Sequence, residues 1–171
     1  HNHLGDSFGG GWDKKPHSQL LEQLDTAGVT CYVDLDGGWG EDVLNRHLDY
    51  FKRPAPDRFK VFGGVDWSKW AEMGDQFPEW AAKRLRIQKE RGAEGVKIWK
   101  PLGLHVKDHK GELVKVDDPR IDPIWQAAGE LHLPVLIHIA DPVAFFDPID
   151  ETNERWEELG AHPDWAFTSP P

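Results

Sequence analysis

Leu133-Pro134-Val135-Leu136-Ile137-His138 is an apolar run that closes on an imidazole. A continuous apolar run of this length, rather than an alternating one, fits a strand covered on both faces, as in a parallel sheet flanked by helices. A polar residue at the end of such a strand sits where β/α barrel enzymes assemble their active sites.

Working outward, three further runs read the same way. Residues 29–35 are β-branched and apolar and stop at Gly37-Gly38; residues 59–66 and 96–99 follow. Helical stretches separate them. Residues 18–27 place Leu20, Leu21 and Leu24 at helical spacing before Gly28, and residues 41–51 carry the stripe Val43, Leu44, His47, Leu48 and Phe51 before Pro54. Residues 79–91 form a cation-rich helix that ends at Gly92. In 122–131, Asp122 is the expected N-cap and Pro123 the first helical residue; in 152–159, Thr152 is the expected cap. The polar stretch 101–119, with Lys110-Gly111 as a turn, reads as an excursion over a strand end, and the glycine-rich residues 5–11 as a loop.

Alternating strands and helices predict an α/β fold with a parallel sheet and right-handed crossovers. An open doubly wound sheet satisfies that pattern as well as a barrel does. The polar residues favour the barrel, because Asp34, Asp36, Asp66, Lys97, Lys100, His138 and Asp141 all fall at or just past the C-terminal ends of the strands. A closed (β/α)8 TIM-type barrel takes about 250 residues, whereas this chain has 171. The expectation is therefore a single domain over 1–171 that is a partial barrel, lacking the first strand and the last three βα units. Such a piece exposes two strand edges and should associate, with homo-oligomerisation one way to cover them.

With 20 Lys plus Arg against 30 Asp plus Glu, the formal charge is −10. A nucleic-acid partner is disfavoured, since no basic field offsets phosphate repulsion. No run approaches the roughly 18 apolar residues of a membrane span. Cys31 is the sole cysteine, so no internal disulfide forms, and a reducing, cytoplasmic setting is expected.

The opening His1-Asn2-His3 sets two histidines two apart. On an extended backbone both rings point the same way, so one strand tip can offer both to a divalent ion, with His138 arriving from another. The plainer readings are tag residue or surface histidines for the pair, and a hydrogen-bonded core histidine for His138. Lys97 lies within a strand; facing the barrel interior it needs an anion, and facing outward it would reach solvent between helices. Of the nine tryptophans, Trp12, Trp39, Trp67 and Trp99 lie near strand ends and can wall a pocket for a planar substrate, although core packing accounts for most of them. The literal string His-Asn-His also suggests the nuclease module of that name, but there the residues are dispersed and the surface is cationic. No Gly-x-Gly-x-x-Gly or Walker loop follows a strand, which argues against nucleotide binding.

His1-Asn2-His3-Leu4, the segment 95–104 (Gly-Val-Lys-Ile-Trp-Lys-Pro-Leu-Gly-Leu) and the segment 133–142 together resemble the amidohydrolase superfamily. The closer likeness is to its branch of metal-dependent hydrolases and decarboxylases related to aminocarboxymuconate-semialdehyde decarboxylase. The resemblance implies that His1, His3 and His138 are metal ligands, zinc being the usual ion and manganese an alternative. It implies that Lys97 stands near a lysine that bridges two metals in other members, here read as a substrate contact. A sixth-strand histidine and an eighth-strand aspartate of the family have no counterpart within the chain, so no catalytic acid or base is assigned. The expected function is that of a metal-dependent hydrolase or decarboxylase acting on a small carboxylated or cyclic substrate. The competing expectation is a non-catalytic barrel fragment serving as a structural or interaction module.

Overall fold

A computed structural model of the chain describes residues 2–6, 10–139 and 141–167. They fall into two compact units, residues 1–138 and 139–171.

The first unit holds all five strands. In chain order it runs α1 (His17–Thr26), β1 (Tyr32–Asp34), α2 (Glu41–His47), β2 (Phe59–Val61), β3 (Gly63–Gly64), α3 (Trp70–Met73), α4 (Phe77–Arg91), β4 (Val96–Ile98), α5 (Asp122–Glu130) and β5 (Val135–Ile137). Every pairing is parallel: β1 with β2, β3 with β4, and β4 with β5. β2 and β3 belong to one extended run, parted only at Phe62. The Phe62 amide donates to the Asp34 carbonyl at 2.9 Å, and the next amide, Gly63, donates to Gly95 on the other side, also at 2.9 Å. That run hands its hydrogen bonds from the preceding strand to the following one. The spatial order is therefore the chain order, with no reversal. A doubly wound sheet reverses at a switch point, whereas a barrel adds each strand beside the last; the described strands form a two-stranded and a three-stranded parallel sheet in the order a barrel uses.

Val96 and Ile98 face the helices, packing into one core with Phe77, Ala81 and Leu85 of α4 and Ile124 and Ala128 of α5. Alternation along a strand turns Lys97 to the opposite face. α4 has Pro78 in its first turn and ends at Gly92, whose φ of 117° and amide bond to Gln88 close the last turn.

Several local expectations shift. The strands are shorter than the apolar runs, because the ladder ends where loops leave the sheet. After α2 the chain continues as one widened turn, Leu48–Lys52, rather than as regular helix through residue 51. Asp122 is the first residue of α5 and not its cap; Asp118 caps the short 3-10 turn Pro119–Ile121 by accepting from the Arg120 amide. The 101–119 excursion is hairpin-like as expected, with Lys107 bridged antiparallel to Leu113.

In the second unit the helix is α6 (Trp156–Ala161), later than residues 152–159. Thr152 caps nothing there. Its amide and hydroxyl are both held by Asp150 Oδ1, at 2.9 and 2.6 Å, in a turn that precedes the helix. Asn153 ties the unit together by donating to the carbonyls of Ala144 and Pro148. Among the described residues no helix is long and apolar enough to cross a membrane.

Candidate metal centre

Beyond β1 the chain makes one 3-10 turn, Asp36–Trp39, packed flat against its neighbours. Only glycine allows this approach. A Cβ on Gly37 would lie 2.2 Å from the Phe62 carbonyl oxygen, and one on Gly38 would lie 2.9 Å from Lys97 Cβ. The turn delivers Asp36, 2% exposed, to the N-terminal segment.

His3 Nδ1 donates to Asp36 Oδ1 at 2.5 Å, while the amides of Leu4 and Gly5 donate to Oδ2 at 2.9 and 2.6 Å. Desolvation opposes the charge on Asp36, yet the bonds from His3, Gly5 and Leu4 outweigh it and hold the carboxyl below its usual range. A carboxylate can only accept, so the hydrogen of this bond is carried by Nδ1 of His3, the nitrogen that the Asp36 carboxylate occupies. The ring stacks on Trp99, with centroids 5.5 Å apart and planes 18° from parallel. The Tyr32 hydroxyl donates to the His3 carbonyl at 3.1 Å. Burial, followed by the nearby Asp34 and Asp36, pushes that phenol up to about 12, so it remains a donor at any ordinary pH.

Behind this pair lies a second one. His47 Nδ1 is 2.6 Å from Asp34 Oδ2, both side chains are fully buried, and Asp13 Oδ2 stands 3.7 Å from His47 Nε2. Asp34 Oδ1 in turn accepts the Asp36 amide at 3.3 Å. Nothing in the sequence singled out His47 for a polar role. The signal available was a histidine on an otherwise apolar helical stripe, which needs a buried partner.

Asp34, Asp36 and His47 each present a potential ligand atom within 4.8 Å of the others. Their hydrogen bonds argue that they order the site rather than hold an ion. Both Asp36 oxygens are already engaged by His3 and the two amides, and both Asp34 oxygens by His47 and the Asp36 amide.

His138 continues the β4–β5 ladder, its amide donating to the Ile98 carbonyl at 2.9 Å. Extending the register Ile98↔Ile137 by one residue sets His138 beside Trp99, the residue on which His3 stacks. His1 lies outside the described residues.

Lys97 is 1% exposed. Its Nζ has no hydrogen-bond partner among the described residues and lies 4.7 Å from the centroid of the Trp99 ring. Burial pushes the amine down to about 8. An unneutralised ammonium inside a protein is costly, so a lysine kept here is poised for an anion. The Trp99 ring also lines a cavity of about 600 Å³, walled further by Trp39, Trp67 and Trp80 with Arg84 and His105 among its polar lining. Trp39 and Trp99 stack within it, 4.0 Å apart. A space of this size and lining suits a small planar molecule.

No family model matches the sequence, and no curated protein matches it. Solved structures do. The chain is similar to 2,6-dihydroxybenzoate decarboxylase complexed with 2,6-dihydroxybenzoate, at 18% identity over 87% of this chain and 44% of that one, with a TM-score of 0.51. It is similar to a mutant 5-carboxyvanillate decarboxylase from Novosphingobium aromaticivorans with bound manganese and 3-methoxy-4-hydroxy-5-nitrobenzoic acid, at 20% identity over 84% and 41%, with a TM-score of 0.54. A third match is 2,6-dihydroxybenzoate decarboxylase from Rhizobium, at 18% identity over 95% and 52%, with a TM-score of 0.53. The chain has the fold of these decarboxylases. At 18–20% identity the likeness is one of fold, and it agrees with the parallel α/β arrangement expected from the sequence. The chain spans 41–52% of their length.

Proposed function

We propose that this chain carries the metal-binding half of a decarboxylase site for a small aromatic carboxylic acid, with His1, His3 and His138 as ligands to one divalent ion. The observation that carries the reading is the His3–Asp36 pair: a buried carboxylate on Nδ1 and a stacked ring are what orients a metal-binding imidazole towards an ion through its other nitrogen. Manganese in one structural neighbour supports a divalent ion, and either manganese or zinc suits imidazole ligands. When bound, the ion would supply positive charge to orient the substrate and stabilise the anion that develops on it. Lys97 offers the buried cation for a carboxylate or phenolate oxygen, and the tryptophan-walled cavity offers stacking surface for the ring. In the reaction the bond between ring carbon and carboxylate breaks, carbon dioxide leaves, and the electron pair left on the ring carbon takes up a proton.

That the structural neighbours are decarboxylases favours this chemistry over hydrolysis. The test is zinc or manganese stoichiometry on the purified protein, His138→Ala alongside, together with release of carbon dioxide from 2,6-dihydroxybenzoate. One ion per chain that is lost in His138→Ala, with carbon dioxide released, is the expected result. An unchanged stoichiometry in the variant removes His138 from the ligands. A protein that takes up no ion is a scaffold rather than an enzyme.

A further inference from the structure

We infer that Asp36 is the positioning residue of the centre: it fixes the tautomer and the ring plane of His3, so that Nε2 is the nitrogen offered to the ion. The inference rests on the proposed metal site and adds to it a residue that the ligand motif does not contain. Asp36 is 33 residues from His3 in sequence and reaches it only because β1 turns sharply through Gly37 and Gly38.

The carboxylate is itself over-determined. Oδ2 accepts from two successive amides, Leu4 and Gly5, and the Asp36 amide is held by Asp34 Oδ1, which belongs to the buried His47 pair. One oxygen therefore anchors the backbone that follows His3 while the other anchors its ring. The segment and its imidazole are thus both held to one carboxylate. A histidine without such bonds would sample more rotamers, and an ion would have to offset that ordering cost on binding. Trp99 limits ring rotation from the open face. A space-filling role alone would not require both oxygens to be spent on these three donors.

Asparagine at this position has one acceptor oxygen in place of two. It can serve the His3 ring or the Leu4 and Gly5 amides, but not both. The test uses protein labelled with 15N-histidine. The proton position on His3 is read by long-range proton–nitrogen correlation in the unmutated, metal-free protein, so the inference can fail without any variant having to fold. Zinc affinity is then measured by chelator competition for the unmutated protein, Asp36→Asn and His3→Ala, with circular dichroism as a check on folding. The expected result is an Nδ1-protonated His3, a 10–100-fold weaker zinc affinity in Asp36→Asn, and a loss of the Nδ1-protonated signature in that variant. His3 protonated on Nε2, or zinc affinity unchanged in a folded Asp36→Asn, overturns the role of Asp36. Zinc that binds equally well to His3→Ala, or not at all to the unmutated protein, overturns the metal site itself, whatever the tautomer.

Discussion

The indoles of Trp99 and Trp39 lie 4.0 Å apart and 20° from parallel, joining the end of β4 to the turn that follows β1. Trp99 also stacks with His3, so the three rings connect the candidate ligand to the cavity. Trp39→Leu should abolish the exciton signal of the pair in circular dichroism. The stability cost should be only about 1 kcal/mol, since Trp39 is half exposed and mainly the stacking is lost. A denaturation midpoint shifted far beyond that would show that Trp39 supports the sheet rather than the cavity.

Lys97→Met should stabilise the protein by about 1–3 kcal/mol at neutral pH, because a buried ammonium without a hydrogen-bond partner is exchanged for an apolar chain of similar length. The pH dependence has a definite sign. With an amine at about 8 in the folded protein and an ordinary 10.5 when unfolded, the unfolded chain holds more protons between those values. Stability therefore rises with pH across that window and is flat below it. Urea midpoints at both ends of the window should show the rise for the unmutated protein relative to Lys97→Met. Parallel curves for the two proteins would mean that the amine is solvated.

Gly38→Ala places a methyl group 2.9 Å from both Lys97 Cβ and Trp99 Nε1. Overpacking of this kind costs about 1–3 kcal/mol. The same substitution should disturb the Trp39–Trp99 signal. Gly160→Ala, which meets nothing within 4 Å, should leave that signal intact.

The excursion between β4 and α5 is pinned by Asp108, whose Oδ1 accepts the amides of Lys110 and Glu112 and whose Oδ2 accepts from Arg120 at 2.5 Å. The Arg120 bond leads these in holding the carboxyl down to about 2. A depressed acid stabilises above its unfolded value of 3.8, and that contribution is lost as pH falls towards 2. Amide protection across residues 107–114, taken relative to the intrinsic exchange rate at each pH, should fall over that interval in the unmutated protein. In Asp108→Asn it should already be low and change little there.

The parallel α/β pattern could be read directly from the sequence. Apolar runs, helical stripes and polar residues at strand ends are periodic signals, and burial of Val96 and Ile98 against α4 and α5 follows from alternation alone. Helix starts were harder to place: Asp122 and Thr152 both look like caps, yet Asp118 and Asp150 do the local hydrogen bonding. Both choices depend on which of two nearby polar side chains the backbone turns towards, and composition carries no record of that. The single-domain expectation meets a division into two units at residue 138. The metal set is only partly traceable, since His1 lies outside the described residues.

By itself the sequence determined the α/β order of elements, the acidic character of the chain, and histidines and a lysine at strand ends as the residues to consider. Those properties follow from local periodicity and composition, and need no knowledge of distant neighbours. Only the tertiary structure decided that Asp36 meets His3, that His47 is buried on Asp34, and that Lys97 Nζ has no hydrogen-bond partner among the described residues. Each of these is a contact between chain segments brought together by strand register and by glycine turns. The free energy of a buried charge depends on what those segments place within a few ångströms of it, not on its neighbours along the chain.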